Sequence, residues 1–199
     1  MVVSPVFNRE RRRENPFPET AGIALIMRIM SSNGFLALPV CEDLLMGIFS
    51  KRQAKPKPSV SADGPTYSEP NQSELDWMLG HLEFASEMNV NIDDLEQISS
   101  FYDVLLQSWT ESPPASRSDP NGSINIIGTV FGEHLVRRTT MRWVIATDEY
   151  GTELAIHDTD TDLLVYPANA VAKRWSAHES GAFIPGFGDD ILRRVRPNA

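Results

Sequence analysis

One cysteine, Cys41, stands in the 199 residues. No intrachain disulfide can form and no cysteine cluster can hold zinc, which suits a reducing cytoplasm better than an oxidising compartment. Long uncharged apolar runs are missing as well. No stretch approaches the roughly 20 residues that a spanning helix needs, so a cytoplasmic chain with no membrane partner is expected. The sequence holds no Gly-rich phosphate loop, no Gly-x-Ser-x-Gly elbow and no His-Glu-x-x-His pair. It therefore assigns no catalytic, cofactor-binding or metal residue. Basic residues are scarce where acidic ones are dense: no Lys or Arg occurs between Lys57 and Arg117. The net charge is -9 and the isoelectric point is near 4.9, which argues against nucleic acid, whose phosphates need a basic face.

What is present divides unevenly. Positions 1 to 58 carry 9 Lys and Arg against 5 Asp and Glu, and positions 59 to 199 carry 9 against 22, so the two parts stand at +4 and -13. Residues 1–45 mix Pro, Arg and short apolar runs with no sustained helical or strand period. Arg11, Arg12 and Arg13 precede the apolar run from Ala21 to Met27, but Arg28 interrupts it, and Pro39-Val40 before Cys41 does not fit a lipoprotein cleavage site. The reading adopted for 1–45 is a mis-assigned upstream extension or a disordered leader, with translation starting at Met46. Residues 46–72 are expected to be a basic start followed by a Pro/Ser-rich disordered tether, with Gln53 to Asn71 almost free of apolar anchors. Residues 73–199 are left as one domain; at 199 residues with an apolar share of 41%, the chain can close one ordinary core.

Helical spacing begins at Ser73, which with Asp76 has the form of a capping box. Leu75, Met78, Leu79, Leu82, Ala85 and Met88 follow at three- and four-residue intervals. A second helix has Asp93 and Asp94 in its first turn and a stripe of Leu95, Ile98, Tyr102, Leu105 and Trp109. The short link between them predicts a helical hairpin. Its outward face would carry Glu74, Asp76, Glu83, Glu87, Glu96 and Asp103. Pro113, Pro114 and Pro120 then mark a loop. Ser123 is placed as the cap of a third helix reaching about Thr139, with Ile127, Phe131 and Leu135 on one stripe. Gly128 and Gly132 each weaken a helix by about 1 kcal/mol relative to Ala, so a packing reason is expected: close approach of this helix to a sheet.

Three runs with strand character come next, Met141 to Thr147, Thr152 to His157 and Leu163 to Pro167. The period of two sets Trp143 and Ile145 on one face, with Leu154 and Ile156 across from them. Gly151 is expected to supply a positive φ in the first turn, and Pro167 to stop the last strand. A short helix should bury Ala168, Val171, Ala172 and Trp175. After a Gly-rich loop from Ser180 to Gly188, a last helix should start at Asp189 and Asp190 and end at Arg193 and Arg194. The fold class predicted is α+β: an N-terminal helical hairpin, a third helix packed on a three-stranded antiparallel meander, and two short C-terminal helices.

The block Phe131-Gly132-Glu133, Arg142-Trp143-Val144, Asp148-Glu149-Tyr150-Gly151, Leu163-Leu164-Val165-Tyr166-Pro167 and Ala172-Lys173-Arg174 resembles a bacterial, actinobacterial-type family of uncharacterised domains. The resemblance spans about residues 73 to 195. Its matching positions are Phe131, Gly132, Trp143, Asp148, Glu149, Tyr150, Gly151, Pro167, Lys173 and Arg174, and it implies no activity for any of them. Read physically, Phe131 and Trp143 are core, Gly132 and Gly151 are backbone devices and Pro167 is a stop. Asp148, Glu149 and Tyr150 suit a turn, although polar loops on rigid hairpins also carry function.

Two further constellations bear on chemistry. Glu133 and His134 adjoin on a helix and point about 100 degrees apart, so they make no acid–base pair, and His134 is read as a boundary residue. The loop from His157 to Asp162 has alternating carboxylates, Asp158, Asp160 and Asp162, of the kind calcium takes. It departs from the EF-hand pattern, with Leu163 where Gly is needed and Asn169 where Glu is needed. An ordinary solvated turn is preferred there. The functional reading is a non-catalytic protein-interaction or structural module whose acidic helical surface meets a basic protein. The alternative is a small enzyme or ligand-binding domain using Asp148 to Gly151 with Lys173 and Arg174.

Overall fold

The computed structural model describes residues 64–197. The readings for 1–45 and for most of the tether lie outside the described residues. The architecture is α+β, with the order β1 (Thr66–Ser68), α1 (Gln72–Glu87), α2 (Leu95–Glu111), a 3-10 turn (Pro114–Ser116), α3 (Asn121–Arg138), β2 (Arg142–Asp148), β3 (Gly151–Asp158), β4 (Leu163–Val165), α4 (Pro167–Ser176) and α5 (Phe183–Arg194).

The sheet is antiparallel in the order β1-β2-β3-β4. Its central register sets Trp143 opposite Ile156 and Ile145 opposite Leu154, as the alternation predicts. The fourth strand corrects the expected three-stranded meander, since Thr66, Tyr67 and Ser68, read as tether, pair with Thr147, Ala146 and Ile145. Two prolines, Pro65 and Pro70, bracket a run of only three β-compatible residues, too short to show a period.

Helix α3 is the hub, touching α1, α2, α4, α5 and β3. Ile127, Val130, Phe131 and Leu135 on it are fully buried. Side chains of that size each contribute about 1.5–3 kcal/mol on leaving water. Its two glycines explain how the neighbours come so near. A Cβ added at Gly132 would lie 2.6 Å from Trp143 Cζ2, and one at Gly128 would lie 2.7 Å from Ala168 Cα. Gly132 therefore meets the sheet as expected, whereas Gly128 meets the start of α4. The helix begins at Asn121 after Pro120, two residues before the expected Ser123 cap, and ends at Arg138.

Helix α1 is capped by Asn71, whose side chain accepts from Glu74 N while Glu74 accepts from Asn71 N, in place of the Ser73/Asp76 pair. Its buried face is Met78, His81 and Ala85; Leu75 and Leu79 of the expected stripe stand exposed at 44% and 53%. Asp94 caps α2 by accepting from Glu96 N and Gln97 N. On the face read as outward, Asp103 is exposed and also accepts from Gly181 N at 2.6 Å. Phe84 of α1 and Phe101 of α2 lie with their rings tilted at 6.4 Å, and each of the two helices packs on α3.

Helix α5 starts at Phe183 and contains Pro185, Gly186 and Gly188, so the expected Gly-rich loop is its first half and Asp189 and Asp190 lie inside it. A proline in the first turn lacks only an N–H that would have had no helical acceptor. Arg193 and Arg194 do sit in the last turn, where the helix dipole favours cations.

Candidate functional site

A pocket of about 490 Å³ opens where α1, α3, the β2–β3 hairpin and the start of α4 meet. Each element brings its part for a local reason. The Asn71–Glu74 capping box fixes the first turn of α1 at the rim, and one turn further Trp77 enters the wall. Gly128 and Thr129 form part of the α3 wall, and Gly128 lets Ala168 close in beside it. The inward face of the hairpin supplies Trp143, Ile145 and Leu154, held by the register. Pro167 opens α4 with its fixed φ, and Tyr166, Ala168 and Asn169 complete the wall.

The lining is mostly apolar. Among the described residues its only ionisable carboxyls are Glu74 and Glu153, and none of its lining residues is Lys, Arg or His. Glu153 accepts from Asn169 Nδ2, tying β3 to α4 at the mouth. Trp143 Nε1 donates to Glu133 at 3.1 Å, which orients the indole above Gly132. Behind the wall, His81 Nδ1 lies 2.9 Å from Thr129 Oγ1, with the Trp77 ring edge-on at 4.1 Å. Burial pushes the His81 imidazole down to about 4. Among the described residues, this hydroxyl beside an imidazole is the one nucleophile-like pair at the pocket. An imidazole that weakly basic is a poor acceptor for a hydroxyl proton at neutral pH.

The family-like positions fall in four places. Trp143 and Pro167 line the pocket, and Gly132 lies under Trp143. Phe131 is core, its ring 5.8 Å from that of Phe187. Asp148, Glu149, Tyr150 and Gly151 make the hairpin turn: Asp148 Oδ1 accepts from Tyr150 N at 2.7 Å and Gly151 N at 3.1 Å, and Gly151 has φ 148°. Tyr150 is 76% exposed. Lys173 and Arg174 lie with Tyr150 and Gly151 along a second, broader groove that meets the pocket at Thr152, Glu153, Tyr166 and Asn169. Arg174 is engaged within the fold, over the Phe183 ring at 4.9 Å and donating to Ala170 O at 3.2 Å.

His134 is buried, not a boundary residue. Its Nδ1 lies 2.6 Å from Ile92 O, and burial lowers its pKa against the opposing pull of that bond. The acidic loop directs its carboxylates to different partners. Asp158 accepts from Thr140 Oγ1 at 2.7 Å and Thr161 N at 2.9 Å, Asp160 pairs with Arg196 at 3.3 Å, and Asp162 faces His157 Nε2 at 3.1 Å. The bond from the Thr161 hydroxyl, the largest influence, holds the Asp158 carboxyl below its ordinary value. Among the described residues no group of three or more His, Cys, Asp or Glu is arranged to hold a metal ion, and no helix is long and apolar enough to cross a membrane.

Sequence reading did not find Trp77, Thr129, Tyr166 or Asn169 as site residues. They come together from segments up to about ninety residues apart, and the available signal was slight: aromatic residues left over from the buried stripes.

Residues 104–184 match the family model described as Domain of unknown function (DUF3806). The matched stretch runs from within α2 to the start of α5, so it holds most of the pocket wall but not Asn71 to Trp77. No curated protein and no solved structure matches the chain.

Proposed function

We propose that the domain is a non-catalytic binding module for a basic protein, which seats one side chain in the pocket between α1, α3, the hairpin and α4. The observation that carries this reading is the pocket's composition: Trp77, Trp143, Ile145, Leu154, Tyr166 and Pro167 in the walls, with carboxylates as the only charges among the described residues. Concave, mostly apolar sites with a few placed polar groups are where binding energy concentrates. The acidic stretch without Lys or Arg from Lys57 to Arg117 includes the rim at Asn71 to Trp77. Such a field speeds encounter with cationic surfaces and weakens with salt. Catalysis has little support here, because the imidazole of the His81–Thr129 pair is weakly basic and no hydrogen bond from a third group among the described residues orients it.

A lysine-rich peptide bearing one phenylalanine, titrated into the full chain and followed by amide chemical shifts, tests the reading. Shifts should centre on Trp77, Trp143, Ile145 and Tyr166 and weaken severalfold between about 50 mM and about 500 mM salt. Shifts scattered over the surface, or none, would count against it.

A further inference from the structure

We propose that the pocket receives an alkylammonium group, presented as the end of an N-methylated lysine side chain of the partner protein and held by Trp77, Trp143, Tyr166, Glu74 and Glu153. The inference rests on the binding-module reading and names what enters. Three aromatic residues line one cavity together with two carboxylates, and among the described residues no cation lines it. Aromatic faces attract cations through their quadrupole, and the attraction grows when the cation is stripped of water.

Charge and hydration then choose among occupants. An anion is repelled by Glu74 and Glu153, and a neutral apolar group gives these two carboxylates no counter-charge. A bare ammonium fits the charge but must surrender a tight hydration shell against walls that return few hydrogen bonds. Methyl groups on nitrogen weaken that hydration, keep the charge and present carbon to the rings. The local field has the matching sign: the Tyr166 phenol is raised by burial and then by Asp148 and Glu153. A cavity of about 490 Å³ has room for a lysine side chain, and its basic neighbours in the partner would lie along the acidic start of α1.

The test is calorimetry on the full chain with four probes: a Gly/Ser peptide with one central N-trimethyllysine, the same peptide with the uncharged carbon isostere of that side chain, choline, and the phenylalanine-bearing peptide used above. The trimethyllysine peptide should bind at least about tenfold more tightly than the isostere. Glu153→Gln should weaken the trimethyllysine peptide about fivefold or more while leaving the isostere unchanged. Trp77→Leu, in the α1 wall of the pocket, should also weaken the trimethyllysine peptide about fivefold or more, with circular dichroism verifying that the variant is folded. Equal affinity for cation and isostere overturns the inference and leaves the binding module standing as an apolar receptor. Choline binding as tightly as the peptide overturns the lysine source. If only the phenylalanine peptide binds, the cation inference alone falls, and if no probe binds, both readings fall.

Discussion

Helices α1 and α3 are of similar length, 16 and 18 residues, and lie against each other, yet they hide their side chains differently. Helix α3 buries residues on most sides, including two glycines, because it has neighbours on most sides. Helix α1 buries Met78, His81 and Ala85 and leaves Leu75 and Leu79 in solvent, with Asp76, Glu83 and Glu87. A central helix thus has no simple apolar stripe; glycines where neighbours press closest mark it instead. A peripheral helix can display leucines at helical spacing that never reach the core. The pocket lies where the two kinds of helix meet.

The largest effect that would break this comparison is at Gly132. Gly132→Leu forces a branched side chain into the Trp143 indole and should cost more than about 4 kcal/mol in urea unfolding, enough to abolish cooperative folding. Near-normal stability would mean that α3 does not rest on the sheet.

The second effect lies at the contact between the helices, His81 on Thr129. The His81 imidazole titrates near its ordinary value of 6.5 when unfolded and at about 4 when folded. The unfolded chain therefore takes the proton first. Stability from keeping this group neutral is complete above about pH 6.5, declines as pH falls, and is lost below about pH 4, a total of about 3 kcal/mol. His134, also lowered by burial, acts in the same direction. Unfolding of the protein and of His81→Gln, compared at pH 7 and pH 4.5, should show the smaller acid loss in the variant; parallel curves would place His81 in solvent.

Smaller effects test the edge of α1. Asn71→Ala removes one half of the capping box and should cost about 1 kcal/mol while loosening the pocket rim. Leu79→Ala removes an exposed side chain and should cost about 0.5 kcal/mol or less; a loss of 2 kcal/mol or more would mean a covered leucine.

Legibility in the sequence followed the same division. The hairpin register from Trp143 to Ile156 was readable because strict alternation has a single solution on a half-buried sheet. Gly151 and Pro167 were readable because a positive φ and a missing N–H leave local marks. The strand at Thr66–Ser68 was not, since three residues carry no period, and the start of α5 was not, because Pro185, Gly186 and Gly188 are loop residues by composition and helical only in context. Asn71 and Glu74 hold the spacing of a capping box, but Ser73 and Asp76 offered a competing one two residues later. His134 was misread because burial on a helix packed on most sides leaves no period to read. The pocket is hardest of all, being assembled from residues between Asn71 and Asn169 whose proximity is wholly tertiary.

The most direct test of how the glycine-bearing side of α3 forms the pocket is a nuclear Overhauser spectrum of the full chain, read at the α protons of Gly128 and Gly132. Strong cross-peaks from Gly132 to the Trp143 indole and from Gly128 to Ala168 are predicted, with the Gly132 signals displaced by the ring current. Glycine α protons at ordinary shifts, with no cross-peak to either partner, would contradict the packing and remove the pocket built on it.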